Sequence, residues 1–79
     1  MAKEEFIYHN QTLFVNLNGE YNSKNISILK RKLYSIIDQY GINDIIIDQK
    51  HITLLDKSAF YDMLDDYDVK YGGNLTLED

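Results

Sequence analysis

The segment Asp44–Asp48 constrains the fold most: three consecutive isoleucines, Ile45, Ile46 and Ile47, bracketed by aspartates. A β-branched run of this kind reads as a strand covered on both faces. Its neighbours in sequence are helical. Upstream, Ile26, Leu29, Leu33, Ile36, Ile37 and Tyr40 recur at helical spacing, an amphipathic pattern. Asn22 and Ser23 precede it as N-cap candidates, and Gly41 follows as a stop. Downstream, Asp56 is the next N-cap candidate, with a carboxylate that suits the positive end of a helix. Phe60, Met63, Leu64, Tyr67 and Tyr71 then form an apolar stripe, and Asp62, Asp65, Asp66 and Asp68 line most of the remainder. Strand–helix–strand units in one sheet require parallel strands with right-handed crossovers.

The flanking segments complete the sheet. Phe6–Tyr8 is a short apolar run, and His9-Asn10-Gln11 is a turn. Thr12–Asn18 alternates, with Leu13, Val15 and Leu17 on one face and Phe14 interrupting the other. Gly19–Ser23 reads as a turn into the first helix. After Asp48 a polar step, Gln49-Lys50-His51, places His51 in a loop before Ile52–Leu55. Gly72-Gly73 ends the second helix, and Asn74–Glu78 alternates with Leu75 and Leu77 inward. The predicted fold is α/β, in the order β-β-α-β-α-β: a four-stranded mixed sheet with two helices on one face, residues 1–79 forming a single domain. Tyr34, Tyr40, Tyr67 and Tyr71 supply large side chains to a small core. Tyr61 falls off the stripe of its helix and reads as a surface anchor.

Composition removes most chemistry. The chain has no cysteine, so disulfides and zinc–thiolate sites are excluded, and His9 and His51 lack the paired spacing of metal ligands. Neither a metal nor a cofactor is expected. Stability therefore rests on packing, or on a partner that completes the core. The net charge of −5 argues against nucleic acid, and the basic run Lys30-Arg31-Lys32 splays around a helix. No window approaches the roughly 18–20 apolar residues of a membrane span. Met1-Ala2-Lys3-Glu4-Glu5 does not lead into the apolar stretch of a signal peptide, so the cytoplasm is the expected location. The aspartates of Asp62–Asp68 lack the glycine and terminal glutamate of a calcium loop and read as a solvated helix face. His51 has no matching nucleophile, Ser58 has no G-x-S-x-G context, and there is no Gly-rich phosphate loop. A protein-binding role is expected rather than an enzymatic one. Ser58 is still distinctively placed. With Asp56 as the cap, it falls in the first helical turn, where amide N–H groups are unpaired and the dipole is positive.

The stretch Ile46-Ile47-Asp48-Gln49-Lys50-His51-Ile52-Thr53-Leu54-Leu55-Asp56-Lys57-Ser58-Ala59-Phe60 resembles the signature of STAS domains, and most of all that of bacterial anti-sigma factor antagonists. Gly19-Glu20-Tyr21-Asn22 is similar to the family's Gly-Glu-Leu-Asp turn, and Gly72-Gly73-Asn74-Leu75-Thr76-Leu77 to its Gly-Gly strand entry. The resemblance implies a partner-switching regulator that docks on an anti-sigma factor with kinase activity, or on a related regulator. It also implies that phosphorylation of the second serine of an Asp-Ser-Ser-Gly motif ends that contact. Ser58 matches that serine, Asp56 matches the preceding aspartate, and Asn22 falls where the family has an aspartate near the phosphosite. Lys57 replaces the first serine, Ala59 replaces the glycine, and Tyr61 stands where the family often has a small residue. The expected docking surface is Asn22, Asp56, Lys57, Ser58, Tyr61 and Asp62. The family usually continues with a further helix, strand and helix, so Asn74–Glu78 is expected to be an uncovered edge and a route to a homodimer. Two other readings stay open: a non-switching structural subunit that assembles with itself or with another protein through that edge, and a small-ligand or lipid-handling accessory.

Overall fold

In the computed structural model, which describes residues 2–79, the N-terminal hairpin turns on Asn10 and Gln11. Both take positive φ, 51° and 64°, the backbone signature of a two-residue turn matched to strand twist. The hairpin strands are β1 (Lys3–His9) and β2 (Thr12–Tyr21), followed by α1 (Ser23–Tyr40), β3 (Asp44–Leu55), α2 (Lys57–Lys70) and β4 (Asn74–Glu78). The sheet order is β1-β2-β3-β4. β1 is antiparallel to β2, and the β2–β3 and β3–β4 pairs are parallel. This is the predicted β-β-α-β-α-β architecture.

Register explains the core. Leu13 pairs with Ile45 and Ile45 with Leu75, while Phe6, Val15, Ile47 and Leu77 form the next cross-strand row. Those rows share one face and pack with Ile26, Leu29, Leu33 and Ile37 of α1 and Phe60, Met63 and Tyr67 of α2. Both helices therefore cover the same face. The Ile45–Ile47 run is buried at both ends, but Ile46 is only half-buried beside Phe14 on the other face, so the strand expected to be covered on both faces is covered by helices on one. At about 25 cal/mol per Å² of apolar surface, this helix–sheet layer is the main stabilising term for a chain without cross-links.

The structure corrects four details of the sequence reading. β2 does not stop at Asn18: Gly19, Glu20 and Tyr21 continue it, with Gly19 at φ 95° and register shifts on either side. The shifts turn Tyr21 inward, where it is fully buried and its hydroxyl donates to Glu4 at 2.9 Å. β3 runs unbroken through Gln49-Lys50-His51, so His51 is a strand residue, not a loop residue. The extra residues are absorbed as bulges against β2, and the Lys50 N–H finds the Asp48 carboxylate at 2.9 Å. β1 begins at Lys3, three residues before the apolar run, because the Glu4 and Glu5 backbones pair with Leu17 and Asn16. Tyr40 is not in the core. It is 55% exposed and stacks on Tyr8 with ring centroids 5.8 Å apart.

Candidate partner-docking site

Both helices start at the same end of the sheet. β2 and β3 are parallel, so each delivers the chain to that end and each helix begins there. The Asp56 N–H donates to the Tyr21 carbonyl at 2.8 Å, tying the two strand exits together. Asn22 caps α1: its side-chain oxygen accepts the Asn25 N–H at 2.8 Å, and the Asn25 side chain donates to the Glu20 carbonyl at 2.9 Å. Asp56 caps α2 in the same way, accepting the Ala59 N–H at 3.1 Å. Both expected caps are in place, with Ser23 as the first helical residue rather than the cap.

With Asp56 as the cap, Lys57 and Ser58 are the first two residues of α2. Both are exposed. The Ser58 N–H belongs to the turn whose amides have no partner within the helix, so an anion on this side chain meets unpaired donors and the positive dipole end. Tyr61 is 52% exposed, and its ring edge meets Phe60 with centroids 5.9 Å apart. Asp62 turns toward α1 and helps line a shallow cleft of about 220 Å³ with Ser23, Ile26, Ser27, Lys30, Ala59 and Met63. The six expected residues thus gather at one end of the molecule, on the two helix starts. Asn22 and Asp56 are occupied as caps, while Lys57, Ser58 and Tyr61 present their side chains to solvent.

Sequence reasoning missed one residue of this surface. Leu54 is 62% exposed and, with Ile52, Leu55 and Lys57, lines a second shallow cleft next to the start of α2. The signal was present: adjacent leucines in a strand point to opposite faces, and helices cover only one. Among the described residues, no three His, Cys, Asp or Glu side chains gather as a metal site would. No helix there is long and apolar enough to cross a membrane.

No protein-family model matches the sequence, and no curated protein matches it. Solved structures do match. The anti-sigma factor antagonist SpoIIAA in its unphosphorylated form aligns with a TM-score of 0.74 at 18% identity, over 98% of this chain and 71% of that one. The phosphorylated form of the Bacillus cell fate determinant SpoIIAA aligns at 0.65 and 17% identity, over 95% and 68%. The chain has the STAS fold. In that fold, the end of the sheet described above carries the segment whose residues resemble the STAS signature.

Proposed function

We propose that this chain is a regulatory protein-interaction module that binds another protein regulator through the start of α2, as an anti-sigma factor antagonist does, and that Ser58 is its phosphorylation site. The observation that carries the reading is the placement of Ser58: exposed and second in a helix capped by Asp56, with the exposed apolar Leu54 four residues before it in the chain and Tyr61 three residues after. Two exposed apolar residues supply burial to a partner, and the polar helix start supplies orientation. A phosphate on Ser58 adds about −1.5 to −2 charge in the middle of that surface. The helix dipole favours the phosphate locally, but a docked partner has to exclude water around it, with Asp56 and Asp62 adding repulsion. The SpoIIAA structures, one unphosphorylated and one phosphorylated, make the fold a fitting frame for such a switch. The role is one of binding in the cytoplasm, without a cofactor.

Affinity capture with the tagged chain from its source cells, followed by mass spectrometry, tests the reading directly. Recovery of a kinase-like regulator is the expected result. Tyr61→Ala should then weaken that complex by more than about 1 kcal/mol while leaving the melting temperature nearly unchanged. A large fall in melting temperature would instead make Tyr61 a structural residue.

A further inference from the structure

Tyr8 and Tyr40 are large aromatic side chains that the core does not use. Tyr8 comes from β1 and Tyr40 from the last turn of α1, so the pair sits at the end of the molecule away from the two helix starts. Their rings stack on each other, and yet they remain 47% and 55% exposed. They wall a cleft of about 350 Å³ whose other residues are Gln11, Gly41, Asn43 and Asp44.

The charge and the dipoles around this cleft favour a cation. α1 ends here, and the last carbonyls of a helix have no partner within it. The Gly41 and Ile42 N–H groups both go to the Ile37 carbonyl, which leaves the carbonyls of the final residues without them. The last turn of α1 holds no basic residue to offset the negative end of the helix dipole. Asp44 is the one charged residue of the lining, and its hydrogen bond from the Asn74 amide, at 3.1 Å, leaves that charge in place. The faces of the tyrosine rings are negative as well. Gln11 adds an independent sign. Asn10 and Gln11 both take positive φ, and glycine is the residue that such a turn accepts most readily at its second position. Gln11 holds φ 64° at a cost glycine would avoid, which fits a side chain with a task in the cleft it lines.

We propose that this cleft binds a guanidinium group, stacked on an exposed tyrosine ring and donating to the Gln11 side-chain oxygen and to the carbonyls that end α1. A guanidinium suits both halves of the site. It is planar and weakly hydrated, so it stacks on aromatic faces, and it carries five N–H donors for the acceptors around it. A quaternary ammonium has the charge but no donor, and a primary ammonium is a compact, strongly hydrated point charge. The site lies apart from the start of α2 and stands or falls without the docking reading.

Titration of the isotope-labelled 79-residue chain with agmatine and with the blocked peptide acetyl-Gly-Arg-Gly-amide, followed by NMR, tests the proposal. The amide resonances of Tyr8, Gln11, Tyr40 and Gly41 should shift and saturate. Tighter binding of agmatine identifies a free guanidine as the ligand, and tighter binding of the peptide identifies an arginine of another protein. Tetramethylammonium and butylamine should bind about 10-fold or more weakly than the guanidinium probes. Tyr40→Ala should weaken guanidinium binding about 10-fold, and Tyr40→Phe, which keeps the ring face, should retain it. Gln11→Gly should weaken it about 5-fold while the melting temperature holds or rises, because the backbone cost is relieved. Resonances that stay in place up to about 10 mM of either probe, butylamine binding as tightly as agmatine, or a Gln11→Gly variant that binds like the wild type would overturn the proposal.

Discussion

Replacing Asp56 with alanine removes the acceptor of the Ala59 N–H, a 3.1 Å hydrogen bond, and with it the carboxylate at the positive end of α2. Loss of an N-cap side chain costs about 0.5–2 kcal/mol, and the charge–dipole part of that is about 0.3–1 kcal/mol at a surface site. For this exposed cap the expected cost is about 1 kcal/mol, a sizeable share of the roughly 3–5 kcal/mol available to a domain of this size. The link from Asp56 to β2 survives, because the 2.8 Å bond to Tyr21 uses the backbone N–H. Asp56→Asn keeps the side-chain oxygen and loses only the charge, so it should cost a few tenths of a kcal/mol. In thermal unfolding followed by circular dichroism, alanine should lower the midpoint by about 4–8 °C and asparagine by about 1–2 °C. An alanine variant as stable as the wild type would refute the capping role. An asparagine variant as unstable as alanine would show that charge, not the hydrogen bond, holds the helix start. Asparagine is also the cleaner probe of partner binding, since it changes the charge of the surface and leaves the helix intact.

Two further predictions concern the body of the domain. At Gly73 an added Cβ would sit 2.8 Å from the backbone carbonyl of Asn43, so Gly73→Ala should destabilise by about 1–3 kcal/mol in urea unfolding; an unchanged midpoint would contradict the close packing of β4 on the start of β3. Burial raises the hydroxyl pKa of Tyr34 and Tyr71 from 10.0 to about 12, helped in Tyr34 by Asp66 and in Tyr71 by its hydrogen bond to Asp38, and it raises Tyr21 and Tyr67 as well. A raised pKa in the folded state means stability that is intact below pH 10 and is lost as the pH climbs toward 12. The tyrosinate absorbance of these four residues should therefore appear together with unfolding in that window, and full ionisation of all seven tyrosines at pH 10 in a still-folded chain would contradict it.

Where local pattern and burial agree, the sequence is readable. The spacing of Ile26, Leu29, Leu33 and Ile37 is the buried face of α1, and the Gly41 stop is its left-handed cap at φ 64°. Asn22 and Asp56 were recognisable as caps because their side chains compete for backbone donors at helix starts. The misreadings share a cause. The bulges that carry β3 through His51 and turn Tyr21 inward arise from pairing between distant strands, and no local window contains that information. Tyr40 fits the helical stripe but lies in the last turn, beyond the sheet, where Tyr8 is its neighbour instead of the core. At the candidate docking site, the polar residues were legible through helix-start chemistry and the resemblance. Leu54 was not, because an apolar residue in a strand is ordinarily assigned to the core. Its exposure follows from helices covering a single face.

The proposed switch has two parts: docking of a partner on the exposed start of α2, and release of that partner by charge on Ser58. The most direct measurement is titration calorimetry of the captured partner against the wild-type chain, Ser58→Ala and Ser58→Asp. The wild type and Ser58→Ala should bind with equal affinity, and Ser58→Asp, folded and with an unchanged melting temperature, should bind at least about 10-fold more weakly. Equal affinity for all three proteins, with no phosphate on Ser58 in protein isolated from cells, would contradict it.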